Sequence, residues 1–139
     1  MTVTVCLVTA ALVLAFCTAS AFAQEGEGPK APAPTYADVS YGSHERNVLD
    51  FWQAQSDEPT PLAIYIHGGG FTGGNKAGLV RQKGSIRLLN SLLDSGISVA
   101  AIHYRLVTQA PLPAAHYDGR RALQFLRSKS QEWNIDKNR

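Results

Sequence analysis

Leu62-Ala63-Ile64-Tyr65-Ile66-His67-Gly68-Gly69-Gly70-Phe71-Thr72-Gly73-Gly74-Asn75-Lys76 is the stretch on which the reading of this sequence turns. Its first five residues are wholly apolar, a short run of the kind expected for a strand buried on both faces. Five glycines follow within the seven residues 68–74. Glycine at that density lets the backbone take φ values closed to other residues and come close to a partner. Amides released from a strand ladder and unhindered by a Cβ can then converge on an anion.

Downstream of this loop, Ile86, Leu89, Leu92 and Leu93 recur with helical spacing and stop at Gly96, a residue suited to the left-handed position that ends helices. Ile97–Tyr104 (ISVAAIHY) is a second buried-strand candidate. Beyond Pro111 and Pro113 a helix is expected to run to about Gln131, with Ala115, Ala122, Leu123, Phe125 and Leu126 on its apolar side. Residues 133–139 read as a turn leading out of it. Upstream, Tyr36–Tyr41 and Asn47–Gln53 are strand-like stretches separated by Gly42-Ser43-His44-Glu45-Arg46, a hairpin turn. Strand, helix, strand, helix after an antiparallel start predicts an α/β fold with parallel strands and right-handed crossovers. Such sheets usually carry more than four strands, so the sequence is expected to hold an incomplete α/β sheet with an open hydrophobic edge.

Three chemistries compete for the glycine loop. A phosphate-binding Walker loop has the required glycine spacing from Gly69 to Gly74, but Asn75 stands at the lysine position and Ala77 follows Lys76, so no hydroxyl is available for magnesium. A glycine-rich turn without chemistry is the plain alternative. The third is an oxyanion hole, in which backbone N–H groups meet the negative charge of a tetrahedral intermediate. The order apolar strand, His, three Gly, aromatic is narrower than glycine richness and favours this third reading.

With those residues in view, the sequence resembles the N-terminal part of an α/β-hydrolase of the esterase/lipase type, in the hormone-sensitive-lipase-like and feruloyl/acetyl-esterase-like group. The resemblance runs through Ile64–Phe71 (IYIHGGGF), Gly74-Asn75-Lys76, His103-Tyr104-Arg105-Leu106, Pro111–Ala115, Asp118, Ala122, Phe125-Leu126-Arg127 and Asn134-Ile135-Asp136. It covers most of residues 41–139 in order. It implies that the amides of Gly69 and Gly70 are oxyanion donors, with Gly68 and His67 supporting the loop. It also implies a small-molecule ester substrate, no cofactor and no metal.

Other residues are read more plainly. Gly96-Ile97-Ser98-Val99-Ala100 imitates a nucleophile elbow, but an elbow needs a strand before the serine and a helix after it. Here the order is reversed, and no histidine follows Asp118, so Ser98 is expected to be an ordinary strand residue. His67 has no second ligand at metal-binding spacing. His103 is expected to be a core histidine, and Arg105 with Asp118 a structural ion pair under the loop Leu106–Pro113. Arg120, Arg121, Arg127 and Lys129 read as a solvated helix face.

The composition agrees with a globular chain: 45% hydrophobic, 17% charged, net charge +2 over 139 residues, which favours neither nucleic acid nor a disordered acidic tail. The charge is unevenly placed, because all 13 Lys and Arg and all 11 Asp and Glu lie beyond Gln24. Residues 3–22 are an apolar run closing on Ala21-Phe22-Ala23, which reads as a secretory signal (1–23) cut after Ala23. An uncleaved anchor and a lipoprotein signal at Cys17 are the competing readings; the latter suffers from Phe16 before the cysteine. Cleavage would place the chain in a secreted or periplasmic setting and remove both cysteines, Cys6 and Cys17. Residues 24–35 are expected to be a flexible linker and 36–139 the N-terminal part of the hydrolase domain.

Ester hydrolysis also needs a nucleophile, a base and an orienting acid. The sequence is expected to stop before its G-x-S-x-G, and so to be a truncated carboxylic ester hydrolase, inactive as this chain. The alternative is a non-catalytic exported pseudoenzyme fragment or an α/β binding module.

Overall fold

The computed structural model describes residues 28–139; the signal reading of 1–23 and the first residues of the linker lie outside the described residues. Four strands form one sheet in the order β1-β2-β4-β3, with β1 at Tyr36–Ser40, β2 at Val48–Trp52, β3 at Leu62–Ile66 and β4 at Ser98–Ile102. β1 and β2 pair antiparallel about the turn at Gly42–Arg46, as do β2 and β4, whereas β3 and β4 run parallel, Leu62 opposite Ser98 and Ile66 opposite Ile102. The connection from β3 to β4 carries the short helix α1 (Gly78–Arg81) and α2 (Lys83–Asp94); α3 (Ala114–Ser128) follows β4.

Alternation along the strands sorts the core into two layers. Leu49 and Phe51 of β2 and Ala100 and Ile102 of β4 pack with Ala122 and Leu126 of α3, joined by Tyr41, Trp133 and Ile135. Trp52, Val99 and Ala101 point to the other face and meet Leu79 of α1 and Leu89 of α2. β4 is therefore buried along its whole length. Each large side chain fully buried this way contributes about 1.5–3 kcal/mol. Trp133 closes the α3 layer, 4.8 Å from the Tyr36 ring and 4.8 Å from that of Phe51.

Gly96 ends α2 as its position in sequence suggested. It takes φ +74°, its N–H donates to the Leu93 carbonyl (3.0 Å) and the Ile97 N–H to that of Leu92 (2.9 Å), the paired bonds of a Schellman motif. Two expectations are corrected. β3 is half-buried rather than buried on both faces, with Ile66 58% exposed, because among the described residues a strand flanks it on one side only. α3 ends at Ser128, not near Gln131, and the chain continues in turns fixed by Trp133 N–H to Lys129 O (2.8 Å) and Ile135 N–H to Ser130 O (2.8 Å). The short helix α1 has no apolar periodicity long enough to announce it. Within the stretch read as a linker, Pro32 O accepts from Trp52 Nε1 (3.0 Å), Lys30 O from Asn90 Nδ2 (3.2 Å), and Thr35 Oγ1 from the Gln53 amide (2.9 Å). No helix among the described residues is long and apolar enough to cross a membrane.

Candidate active site

The glycine loop leaves β3 at the end where β4 also terminates, so the sheet delivers it beside His103 and Tyr104. Gly69, Gly70 and Gly74 have φ of +122°, +58° and +108°, and Phe71, without a glycine's freedom, takes +62°. At two of these positions only hydrogen fits. A Cβ on Gly69 would overlap the Gly73 carbonyl, and one on Gly74 would overlap both the Gly68 carbonyl and the His67 ring. The turn is closed by Thr72 N–H and Gly73 N–H donating to Gly69 O, at 3.1 and 3.3 Å, with the Thr72 hydroxyl on the same carbonyl at 3.0 Å. Gly68, Gly69 and Gly70 are exposed, and the amides of Gly69 and Gly70 donate to no acceptor among the described residues. Two adjacent unspent donors on an exposed turn can receive an oxyanion.

His67 lies under the loop. Its Nδ1 is 2.9 Å from the Gly68 carbonyl, its ring stacks on Tyr104 at 4.3 Å, and its own carbonyl accepts from the Tyr104 hydroxyl at 2.8 Å. Burial pushes its pKa down, as does Arg46, while the Gly68 carbonyl opposes them. His103, beside it, is pushed to about 4 by burial first, then by Arg46, His67 and Lys76, against the pull of Asp50. Both rings therefore stay neutral near pH 7. Tyr41 donates its hydroxyl to the His103 carbonyl, and burial raises its pKa to about 12.

Lys76, the residue that failed as a Walker lysine, is buried and bound to Asp50 at 2.6 Å and Asp38 at 2.8 Å. Burial alone would lower its pKa; the two carboxylates outweigh that and raise it. Arg105 meets Asp118 at two points, Nη2 to Oδ1 at 2.7 Å and Nε to Oδ2 at 2.8 Å, and the Arg105 amide adds a third bond at 2.9 Å. The ion pair forms between the start of the loop after β4 and α3. Val107 N–H donates to Phe71 O at 2.9 Å and ties that loop to the glycine turn. Ile66, Phe71, Ile102, Tyr104, Ala115 and His116 border an apolar hollow of about 360 Å³ next to it.

Ser98 is fully buried at the start of β4, where its Oγ accepts from the Ala54 amide at 3.0 Å and pairs with Thr60 Oγ1 at 2.6 Å. Neither bond leaves it facing a substrate, so it is the ordinary strand residue expected. The sequence reading missed Arg46, assigned only to the hairpin turn. Its guanidinium reaches Tyr104 O (2.8 Å), Gly74 O (3.2 Å), His103 Nδ1 (3.3 Å) and His67 Nε2 (3.4 Å). No local pattern could have announced contacts that join positions 21 to 58 residues apart.

A four-stranded mixed sheet with helices on both faces and a glycine loop at the end of its parallel pair is part of an α/β-hydrolase fold of the esterase kind. The BD-FAE family model matches residues 49–139, and the chain belongs to that family. It is 39% identical over 75 residues to "Probable carboxylesterase 6" of Arabidopsis thaliana, covering 54% of this chain and 21% of that protein. It is 36% identical over 78 residues to 2-hydroxyisoflavanone dehydratase of Glycyrrhiza echinata, covering 55% of this chain and 23% of the relative. The chain thus spans about a fifth of the length of these curated relatives. Among solved structures it resembles a truncated form of a carbohydrate esterase from gut microbiota, with TM-score 0.64 and 26% identity over 80% of this chain and 39% of that one.

Proposed function

We propose that residues 36–139 are the oxyanion-hole portion of a carboxylic ester hydrolase acting on small acyl or acetylated-carbohydrate esters. The observation that carries the reading is the pair of exposed, unspent amides at Gly69 and Gly70, held on positive-φ backbone at the end of the parallel strands. In the reaction, a serine Oγ adds to the ester carbonyl, its proton passes to a base, and the carbonyl oxygen gains the charge that these amides receive. Collapse expels the alcohol and leaves an acyl-serine for water to cleave. His67 and Gly68 support the turn. Likeness to a carbohydrate esterase and to a carboxylesterase supports the substrate class.

Among the described residues Ser98, the serine of the elbow-like pentapeptide, is buried in β4, so turnover is proposed to require a nucleophile, acid and base from outside residues 28–139. The 139-residue chain is expected to show no p-nitrophenyl acetate hydrolysis above background. The DNA following codon 139 is expected to encode a G-x-S-x-G in some frame, then an acid and a histidine, and the protein made from it to hydrolyse the same ester. A long continuation without that pentapeptide overturns the esterase reading and leaves the non-catalytic one.

The likeness to a dehydratase favours a second reading, because amides that receive a tetrahedral oxyanion also receive an enolate. Burst release of p-nitrophenol, the mark of an acyl-enzyme, selects the hydrolase. Export is part of the proposal: the apolar run ending in Ala21-Phe22-Ala23 supports cleavage, and mass spectrometry is then expected to find Gln24 as the mature N-terminus. Intact Met1 on a membrane-associated product would select the anchor.

A further inference from the structure

We infer that Arg46 is the positioning residue of the glycine loop, clamping one end of it directly and the other through His67, and holding His67 and His103 in opposite neutral tautomers. The inference rests on the oxyanion reading of that loop and extends it to a residue on the β1–β2 turn.

Arginine has donors only, so each atom it faces must be an acceptor. The Arg46 Nη2 hydrogens are shared among Gly74 O, His67 Nε2 and His103 Nδ1, at 3.2, 3.4 and 3.3 Å, while Nε–H donates to Tyr104 O at 2.8 Å. His67 Nε2 is therefore unprotonated, and its proton sits on Nδ1, where it donates to Gly68 O. His103 Nδ1 is unprotonated too. It also faces the Lys76 N–H, at 3.4 Å, which leaves its proton on Nε2. The 3.4 Å approach of His103 Nδ1 to His67 Nε2 is then a meeting of two lone pairs, tolerable because the guanidinium lies against both.

This arrangement fixes the loop at three places. Gly74 O, where the glycine run closes, is held by Arg46 directly. Gly68 O is held by His67, whose orientation Arg46 sets. The ends of β3 and β4 are joined by the same guanidinium through His67 and Tyr104 O. Between those points lie Gly69 and Gly70, whose turn is otherwise closed only by the Thr72 and Gly73 donors on Gly69 O and the Val107 N–H on Phe71 O. The charged and titratable groups around the two rings are Arg46 from the turn, Lys76 with Asp50 of β2 and Asp38 of β1, and the hydroxyls of Tyr41 and Tyr104. A proton on either ring would be a donor facing a donor, beside two cations.

Nitrogen-15 imidazole NMR on the full 139-residue chain tests the inference without turnover, so its failure is separable from that of the esterase reading. In the unsubstituted protein the bare nitrogen is expected to be Nε2 in His67 and Nδ1 in His103, with His103 titrating near 4. Arg46→Met is expected to raise that midpoint toward the ordinary 6.5 and to speed exchange of the Thr72 and Gly73 amides. Arg46→Lys keeps the charge without the planar fork, so it should hold the midpoint low yet still speed exchange. The reverse tautomer at either ring in the unsubstituted protein overturns the inference even if the variants do not fold. An Arg46→Met protein with unchanged titration and exchange overturns it as well.

Discussion

Asp118 stands on the buried stripe of α3, four residues before Ala122, and Arg105 closes on it from the end of β4 with two side-chain bonds of 2.7 and 2.8 Å. The carboxylate is almost wholly enclosed, so the guanidinium is what allows it to remain charged there; burial alone would raise its pKa, and Arg105 more than reverses this. Arg105→Ala is expected to destabilise the chain by about 3 kcal/mol, since it leaves a buried charge without its partner. Denaturant melts of the variant against the parent give the value. Asp118→Asn, which removes the charge as well, should cost less.

Gly74 and Gly70 both have positive φ, but only Gly74 is hemmed in. Gly70→Ala meets open space and is expected to cost about 1–2 kcal/mol, the penalty of a left-handed Cβ. Gly74→Ala drives a methyl into the Gly68 carbonyl and the His67 ring, and should cost clearly more while abolishing protection of the Thr72 amide. Thermal melts and amide exchange of the two variants check the order; equal losses would show the loop to be slacker than its contacts imply.

Acid should weaken the fold in two stages. The His103 pKa is lowered on folding, from 6.5 to about 4, so the unfolded chain binds more protons in that window and stability falls as pH drops through it. Asp118, with its pKa also lowered, contributes stability present above its ordinary 3.8 and lost below it. Urea midpoints between pH 8 and pH 3 are expected to decline first between about 6.5 and 4, then again further down. Arg46→Met should flatten the first decline and leave the second.

Ser98→Ala removes the acceptor of the buried Ala54 amide and the partner of Thr60 Oγ1. A loss of about 1–3 kcal/mol follows from groups left unsatisfied. In a complete hydrolase carrying residues 36–139, kcat should not change. A variant without turnover yet fully folded would mean that Ser98 reaches substrate.

What could be read in the sequence was local. The apolar run before His67, the glycine count after it and Gly96 at the end of α2 each state a backbone requirement within a few residues. The antiparallel start followed by strand and helix in alternation was enough to order the elements. The rest depends on contacts between distant positions. Lys76 looked like a misplaced phosphate ligand because Asp38 and Asp50, its partners, lie 38 and 26 residues earlier. Arg46 looked like no more than a hairpin-turn residue because its acceptors come from two strand ends and a loop. β3 looked fully buried because an apolar run cannot say how many strands flank it.

The central claim is that the Gly69 and Gly70 amides receive the oxyanion. Gly69→Pro removes an amide hydrogen, but proline is fixed near φ −65° and cannot reach the +122° found here, so it would unmake the turn. Replacing Gly69 by glycolate exchanges the N–H for an ester oxygen and leaves the backbone path open. In a complete hydrolase carrying residues 36–139, p-nitrophenyl acetate turnover by that variant is expected to lose about 10²–10³ in kcat with KM little changed. An unchanged kcat would contradict the claim.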